Sequence, residues 1–471
     1  MAHRDGLHRC VPGGKSMKVG LAAVEITPPP GLPLAGNFRD DYAARGVHDP
    51  LMAKAIVLED QRGRQAAILA VDVCMLDRHN VEFIRRVIGR RCGVPPEHVL
   101  VHATHTHSGP ACNELLGMGA EVAPWRDQIE AFLTKAASAV AQAEADLAEA
   151  TLAAGFSREE RVSFNRRLKR HDGTIQMNWE ALQPGFDPQA VVGPAGPVDP
   201  ELCCLVVRRQ GRPVAAVVNF ALHPAILAGD NWLYSADYPG CLAEGLGRIA
   251  GPDFLCLFLN GCCGDVNHVD YRDPRQGRGY QMAERVGYML AAAAWEAVRS
   301  AQPLEDDTVA ASRQQVRLDR LRIGAAERRW CERVLQEAEA RRPRGQVDGL
   351  PEAYYAEVRL QMWRDQDRPA AAEVMALRVG EAAVVGLPGE VFCQLGLDAK
   401  RRSPARYTLT ASLANDAIGY LPTPEAFDQG GYETTPGSTF FQPHSGRRLI
   451  ESAVGQCQQL FSGDKIPSGG P

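Results

Sequence analysis

The sequence predicts an α/β fold in which layered, mixed β-sheets are flanked by helices. Two observations favour it: short apolar runs alternate with longer helical stretches, and several of those runs end in a polar cluster. The candidate strands are, in chain order, KAIVLED (54–60), AAILAVDV (66–73), HVLVHA (98–103), LCCLVVRR (202–209), VAAVVNFA (214–221), FLCLFLN (254–260) and EAAVVGLP (381–388).

The helices are predicted from apolar residues at helical spacing. The alanine-rich stretches 127–150 and 279–301 have this pattern and are expected to pack against the sheets. Between candidate strands, the Gly/Pro-rich segment 183–200 predicts a loop and a candidate lid.

The charged stretch 324–369 predicts a helical hairpin inserted into the domain, since a break at Arg342-Pro343 separates helical patterns at 324–342 and 352–365. Its many charges indicate a solvated face rather than a partner site.

With 471 residues, the chain is long for one core, because single domains usually stop growing near ~250–300 residues. Residues 17–471 are interpreted as one large domain with the hairpin as an insertion. Residues 1–16 are expected to be a disordered leader, with Met17 as an alternative natural start.

Composition and charge exclude several classes of protein. Hydrophobic residues make up 45% and charged residues 23% of the chain, as in soluble globular proteins, and the net charge of −5 gives no footprint for nucleic acid. No signal peptide and no apolar stretch of membrane-spanning length is found. The thirteen cysteines include no CxxC pair and read as thiols of a reducing compartment, so a cytoplasmic location is expected. The oligomeric state is left open.

Four candidate strands end in polar residues that could share one site. HVLVHA is followed by THTHSGP, VAAVVNFA by LHPA with His223, FLCLFLN by GCCGDVNH with Asp265, and EAAVVGLP by Glu390. Because ligands of open α/β sheets bind outside the carboxyl ends of the strands, these clusters are expected to converge.

The residue types at these ends suit a metal ion. Imidazole and carboxylate are zinc ligands when thiolates are absent, so His105, His223 and Glu390 form a candidate set that leaves a position open for water or substrate. If the strand continued, His105 and His107 would share a face, and His102 would point away. One of the pair could bind metal while the other bonds a substrate carbonyl or acts as an acid or base.

Ordinary structural roles compete with each of these assignments. A histidine at a strand end is often a hydrogen-bonded structural residue. Asp265 could be a turn or helix-cap residue, and Glu390 could be the first-turn acid of a following helix.

A series of short motifs runs through the chain from about Val19 to Ser445, in the order VGLAAVEITPPPG, GVHDPLMAKAIVL, AVDVCML, THTHSGP, FNRR, NFALHP, NGCCGDVN, LPGEVF and GGYETTPGSTFF. This series resembles the neutral/alkaline, non-lysosomal ceramidase family. The resemblance implies a zinc hydrolase whose metal ligands are His105, His223, Glu390 and Tyr432. It further implies that His107 and Arg166 bind the scissile carbonyl and the developing oxyanion.

The active-site turn departs from the family, in which GDVS stands where this chain has GDVN. Asn267 can hydrogen-bond but cannot supply a hydroxyl. We expect Asp265 and Asn267 to act with His107 and Arg166 in catalysis, and Asp237 and His268 to line the substrate pocket. From the resemblance, the chain is also expected to lack the C-terminal β-sandwich of typical ceramidases, an expectation that favours a soluble small or medium substrate.

The sequence therefore predicts a Zn²⁺-dependent amidohydrolase that acts on a small-molecule amide, without nucleic acid or a membrane span. A zinc esterase, lactonase or deacetylase on the same site is the enzymatic alternative. A non-catalytic binding protein with a structural metal is the alternative from another class, and a metal phosphatase that uses GDVNH is the weakest, because it ignores Glu390 and Tyr432.

Overall fold

A computed structural model describes residues 14–37, 39, 41–113, 122–273, 275–340 and 352–462. The strands are β1 Ser16–Glu25, β2 Gly46–Val47, β3 Met52–Glu59, β4 Gln65–Val71, β5 Val99–Ala103, β6 Ala148–Arg158, β7 Phe164–Asn165, β8 Arg167–Arg170, β9 Ile175–Met177, β10 Val191–Pro194, β11 Glu201–Arg209, β12 Arg212–Phe220, β13 Leu233–Tyr234, β14 Leu255–Asn260, β15 Val266–Asn267, β16 Gln302–Pro303, β17 Val309–Leu318, β18 Ala370–Val379, β19 Ala382–Gly386, β20 Glu390–Val391, β21 Tyr407–Ala411 and β22 Tyr420–Leu421. The helices are α1 Arg78–Arg91, α2 Arg126–Ala145, α3 Tyr238–Ala250, α4 Tyr280–Ser300, α5 Ala325–Ala340, α6 Glu352–Asp365, α7 Cys393–Arg402, α8 Pro424–Gln429 and α9 Ser445–Ser462.

Two mixed sheets form the centre of the fold. The larger has the order β14-β12-β11-β6-β1-β3-β4-β5, with β16 attached to β6, and the smaller has the order β17-β18-β19-β21. The pairs β12–β14, β4–β5 and β19–β21 are parallel, whereas most of the other pairs are antiparallel. The predicted α/β fold with mixed sheets is thereby confirmed.

Alternation along the strands places the sheets between two helical layers. In β4, Ile68 shares a core with Val384 and Leu409 of the smaller sheet, so the two sheets pack face to face. The next residue, Leu69, packs with α1 and α2 on the opposite face. Helices α3 and α4 cover the β11–β12–β14 end of that face, and α7 and α9 cover the outer face of the smaller sheet. The chain therefore folds as helices, sheet, sheet and helices.

Several sequence-based boundaries differ from the structure. Helix α2 ends at Ala145, because Ala148 already begins β6 as the neighbour of β1 and β11. The segment predicted as a loop at 183–200 contains β10, which pairs with β8.

The predicted leader and the predicted hairpin each lie partly outside the described residues. Lys15 N donates to Leu304 O and β1 begins at Ser16, so ordered structure begins before the predicted leader ends; residues 1–13 lie outside the described residues. Helices α5 and α6 occupy the predicted hairpin, and the break at 342–343 lies outside the described residues. Within the described part of the chain, none of the helices combines the length and apolar character that a membrane crossing requires.

Candidate active site

His105 follows β5 in a turn rather than in a continued strand. The strand ends at Ala103, and His105 has a left-handed backbone with a φ of 75°. Its amide donates to Val73 O, which holds the turn against the end of β4. His105 and His107 were expected to share a face if the strand continued. The strand does not continue, and the turn instead brings the two side chains together.

Glu390 and His223 approach from the smaller and larger sheets respectively. His223 lies three residues beyond β12, and Glu390 begins β20, which pairs in parallel with β22. The GCCGD turn packs against this strand so closely that a Cβ on Gly264 would lie 2.4 Å from Glu390 O. Helix α7 begins only at Cys393, so Glu390 is not a first-turn acid.

The side chains of His105, His223 and Glu390 converge in the buried space between these elements. The two Nε2 atoms are 2.9 Å apart, and Glu390 Oε2 lies 3.4 Å from His105 Nε2 and 3.2 Å from His223 Nε2. Each histidine uses Nδ1 to donate to a backbone carbonyl, from His105 to Cys74 O at 2.7 Å and from His223 to Cys263 O at 3.0 Å. In the neutral rings both Nε2 atoms are thus acceptors that face the carboxylate, so the three groups can be held together by a proton on one ring or by a metal cation.

His102 provides a contrast within the same strand. Its Nδ1 donates to Ser412 O at 2.9 Å, and its Nε2 accepts from Asn260 N at 3.0 Å. Both ring nitrogens are satisfied by the backbone, so His102 is a structural histidine that joins the two sheets.

The electrostatics of the cluster favour a cation. Burial opposes charge on His105, yet Cys74 and Glu390 raise its pKa to about 10, whereas burial and the charge of His105 lower the pKa of His223 to about 4. Burial would also raise the pKa of Glu390, but the two histidines outweigh it and hold that pKa well below its usual range. An ionised carboxylate next to nitrogen ligands is the charge state that binds a divalent metal.

Cys74 forms a second potential metal group with His105 and His107, and sequence reasoning did not single it out. Its Sγ lies 3.6 Å from His105 Nδ1, a nitrogen that already donates to Cys74 O. The set of His105, His223 and Glu390 is favoured, because there each Nδ1 faces a backbone carbonyl while both Nε2 atoms lie within 3.4 Å of Glu390 Oε2.

His107 lies beside the cluster, with Nε2 3.3 Å from His105 Nε2. Asn37 donates its amide nitrogen to Leu227 O, which leaves its Oδ1 3.5 Å from His107 Nδ1. Gly36 packs on the ring, since a Cβ there would lie 2.5 Å from His107 Cγ, and Arg39 Nη2 donates to His107 O at 3.0 Å. Gly36, Asn37 and Arg39 thus hold His107 with its Nε2 towards the cluster.

Arg166 reaches the same region from the junction of β7 and β8. Its Nε donates to Glu433 Oε1 at 2.8 Å, and its guanidinium carbon lies 5.4, 5.2 and 5.8 Å from the ring centres of Trp179, Tyr420 and Tyr432. Arg166 Nη2 is buried and has no hydrogen-bond partner among the described residues. A donor of this kind can stabilise negative charge on a bound oxygen.

Tyr420 is a second residue that sequence reasoning missed. It stands opposite Glu390 in the β20–β22 pair, is buried, and interacts electrostatically with both Glu390 and Arg166. Tyr432, the tyrosine chosen from the sequence, packs its ring edge-on against Tyr420 at 5.4 Å. Strand pairing therefore places Tyr420 next to the carboxylate, and the only sequence signal was its position in the short run GYLP.

Asp265 and Asn267 support the site through contacts with the protein. Asp265 accepts from Asn165 Nδ2 at 2.7 Å and from Cys393 N at 2.7 Å, so it fixes the residue before Arg166 and the start of α7. Asn267 exchanges two hydrogen bonds with Asn178, at 2.7 and 2.8 Å. Its amide is occupied in this way in the structure, and the catalytic role of Asn267 stays a prediction.

Asp237 and His268, predicted to line the substrate pocket, have contacts of their own in the structure. Asp237 caps α3 by accepting from Tyr238 N, and its other oxygen accepts from Leu227 N. His268 lines a cavity of about 130 Å³ with Phe164 and residues of α4, and none of the three converging ligands borders that cavity. The substrate-binding role of both residues stays a prediction.

Known proteins are similar to this chain in sequence. The profile of the family described as neutral/alkaline non-lysosomal ceramidase, N-terminal, matches residues 17–266. Neutral ceramidase B of Dictyostelium discoideum is 24% identical over 271 residues, which cover 54% of this chain and 36% of that protein. Neutral ceramidase of Mycobacterium tuberculosis is 26% identical over 250 residues, which cover 50% of this chain and 37% of that protein. The chain thus spans little more than a third of the length of these two relatives.

A solved structure shows the same fold. The crystal structure of neutral ceramidase from Pseudomonas aeruginosa superimposes with a TM-score of 0.73 at 17% identity and covers 95% of this chain and 75% of that one. Because the family profile matches more than half of the sequence, the chain belongs to the neutral/alkaline non-lysosomal ceramidase family.

Proposed function

We propose that this chain is a zinc-dependent hydrolase that uses water to cleave an amide C–N bond. Family membership supports the reaction class, since the relatives are named ceramidases and ceramide carries an amide. The observation that carries the proposal is the convergence of His105 Nε2, His223 Nε2 and Glu390 Oε2, with each ring turned by an Nδ1 bond to a backbone carbonyl.

The spacing of these three atoms fits a zinc ion. Zinc bonds of about 2.0–2.1 Å in tetrahedral geometry separate neighbouring ligand atoms by about 3.3 Å. The separations of 2.9, 3.2 and 3.4 Å are close to that value. The carbonyl of Cys74 and the carbonyl of Cys263 already fix the two rings in the tautomer that a metal requires.

Zinc, when bound, lowers the pKa of water towards ~7 and polarises a carbonyl oxygen that it touches. Arg166 Nη2 offers a free N–H for the oxygen of the scissile carbonyl, and this hydrogen bond strengthens as negative charge develops there. Burial and the charges of His105 and His223 hold the pKa of His107 well below its ordinary value, so that its ring is neutral at pH 7. We assign His107 the role of a proton carrier: its neutral ring takes a proton from the attacking water and then passes that proton to the leaving amine nitrogen.

Two tyrosines compete for the fourth ligand position. The resemblance to the family implies Tyr432. The pairing of Glu390 with Tyr420 in β20–β22 supports Tyr420 instead, with Tyr432 packed behind it against Arg166. In either case the remaining tyrosine borders the substrate rather than the metal.

The substrate that we propose is a small or medium-sized soluble amide. Ceramide, named by the relatives, is one member of a comparison panel and not the sole expectation. An ester, a lactone or an acetylated amine is attacked by the same chemistry, so matched amides and esters that share one acyl group separate amidase from esterase activity.

The test is the metal content and turnover of the purified protein beside three variants. His105→Ala and Glu390→Gln each remove one proposed ligand, and His171→Ala changes an exposed histidine outside the cluster as a control. We expect near-stoichiometric zinc in the unmodified protein and in the control, and loss of both zinc and hydrolysis in the two ligand variants. Unchanged metal in both ligand variants would refute the site, whereas bound metal without turnover on any acyl substrate would favour a structural metal in a binding protein.

A further inference from the structure

Glu433 joins two consecutive arginines in the interior of the protein. Its side chain is fully buried; Oε1 accepts from Arg166 Nε at 2.8 Å and Oε2 accepts from Arg167 Nη1 at 2.7 Å. A buried carboxylate is costly unless it is paired and hydrogen-bonded, and here each oxygen has a charged donor.

The two arginines differ in what remains of their hydrogen-bonding capacity. Arg167 Nη2 donates to Gly430 O at 2.6 Å and to Ala426 O at 3.4 Å, so this guanidinium ties Glu433 to its own segment of chain. Arg166 makes no such backbone contact through its terminal nitrogens, and its Nη2 remains unpaired among the described residues. Arg167 therefore anchors Glu433, whereas Arg166 keeps one nitrogen, Nη2, that can donate to another group.

Aromatic rings restrict the other motions of Arg166. Trp179, Tyr420 and Tyr432 each lie within 6 Å of its guanidinium carbon, at 5.4, 5.2 and 5.8 Å, which is the range of cation–π contact. Trp179 and Tyr432 also pack edge-on against each other at 5.9 Å. None of these rings accepts a hydrogen bond at Nη2. The direction of the guanidinium is set by the charged bond from Nε to Glu433 together with a hydrogen bond to Tyr420.

From these contacts we propose that Glu433 is a positioning residue that holds Arg166 with Nη2 directed at the oxygen of the scissile carbonyl, with Arg167 as its anchor. The inference rests on the proposed hydrolase function. It adds that the negative charge of Glu433 is needed at this point, because without it two buried guanidinium groups would repel each other and Arg166 would turn away from the site.

The principal test is a double-mutant cycle on Arg166→Gln and Glu433→Gln, with kcat, KM and zinc content measured for each protein. If Glu433 acts through Arg166, Glu433→Gln lowers kcat by about 10–100-fold with bound zinc unchanged. In the Arg166→Gln background the same change then has little further effect on kcat, because the group it positions is gone. Additive losses in the two backgrounds would overturn the proposal.

A matched control separates positioning from general loss of stability. Glu373 accepts from Arg85 Nη2 at 2.9 Å in a buried pair between β18 and α1, away from the converging ligands. Glu373→Gln removes a buried carboxylate of the same kind and is expected to change kcat by less than about twofold. An equal fall in kcat in both variants would show that Glu433 has only a structural role. If Glu433→Gln does not fold, Glu433→Asp enters the same cycle.

A crystal structure of the Glu433→Gln variant gives a result that needs no turnover. The proposal expects the Arg166 guanidinium to leave its place between the three rings, and an unmoved guanidinium would refute it. Absence of zinc or of acyl hydrolysis in the unmodified protein would instead refute the proposed function and would leave this geometric measurement valid.

Discussion

The two sides of the candidate site are held by different kinds of contact. On the metal side, the rings of His105 and His223 are oriented by the backbone carbonyls of Cys74 and Cys263. On the arginine side, Arg166 is oriented by the side chain of Glu433 and by aromatic rings from separate segments.

This difference determines how each side responds to substitution. Backbone carbonyls are present whatever the side chains at positions 74 and 263, so the direction of the ligands is a property of the fold. The direction of Arg166 depends on the identity of several side chains, each of which can be changed without altering a strand. We infer that the metal side is rigid against sequence change, whereas the arginine side is where substrate preference can be adjusted.

The largest expected effect is loss of His223, compared with loss of His102. His223→Ala removes a ligand and is expected to abolish zinc binding and to lower kcat/KM by more than about 1000-fold. His102→Ala leaves Asn260 N without its acceptor and opens a small cavity, which should lower the free energy of unfolding by about 2–4 kcal/mol. Zinc analysis and urea unfolding of both variants measure the two effects. Zinc lost equally from both would contradict the distinction between a ligand and a structural histidine.

Next in size is the effect on metal affinity of removing one tyrosine hydroxyl. Replacing the zinc-binding tyrosine by phenylalanine should lower the affinity for zinc by more than the roughly 10–100-fold that follows loss of a residue hydrogen-bonded to a ligand. Its neighbour should keep metal affinity and change kcat or KM. Competition between Tyr420→Phe or Tyr432→Phe and a chromogenic chelator for zinc measures this, and strand pairing with Glu390 predicts the larger loss for Tyr420→Phe.

The sequence predicts the metal side better than the arginine side for the same physical reason. Short apolar runs identify strands, and polar residues just beyond the carboxyl ends of strands are candidates for one shared site, so His105, His223 and Glu390 could be selected without a structure. The left-handed turn at His105 was not predicted, because it depends on the contact of its amide with Val73 O.

The contacts of Arg166 left no such pattern. Trp179 and Glu433 lie in short 3₁₀ turns with no apolar period, and Tyr420 is in a strand of two residues. Arg166 and Tyr432 were identified through the resemblance to a family alone. Side chains that meet only through tertiary packing have no spacing in the sequence that could predict their meeting.

A smaller effect concerns Asp265, which joins the two sides through Asn165 and Cys393 N. Burial raises the pKa of Asp265 from 3.8 to about 6. Between about pH 4 and 6 the folded protein therefore binds a proton at Asp265 that the unfolded chain does not bind. The contribution of Asp265 to the free energy of unfolding increases as the pH falls through 6 and levels off below about 4. Over that range the contribution amounts to about 3 kcal/mol.

Urea unfolding at pH 4.5 and pH 7 of the unmodified protein and of Asp265→Asn measures this contribution. The asparagine variant lacks the titrating group. On acidification from pH 7 to 4.5, the free energy of unfolding of the unmodified protein should therefore increase relative to that of the variant, by up to ~3 kcal/mol. The same dependence in both proteins would show that Asp265 is already ionised when folded, and hence more strongly bonded by Asn165 and Cys393 than its burial indicates.

The smallest effect is expected for Asn37, whose side-chain oxygen faces His107 Nδ1. The 3.5 Å distance between Asn37 Oδ1 and His107 Nδ1 is at the limit of a hydrogen bond, and Arg39 and Gly36 hold the backbone and ring of His107 independently. Asn37→Ala should therefore lower kcat by about threefold to tenfold through loss of the fixed tautomer, with zinc unchanged. Gly36→Ala provides the contrast, because its Cβ would lie 2.5 Å from His107 Cγ and its φ of 93° disfavours alanine. An equal loss of kcat in Asn37→Ala and Gly36→Ala would show that His107, like Arg166, is oriented by a side chain. Orientation by backbone groups would then be limited to the metal ligands.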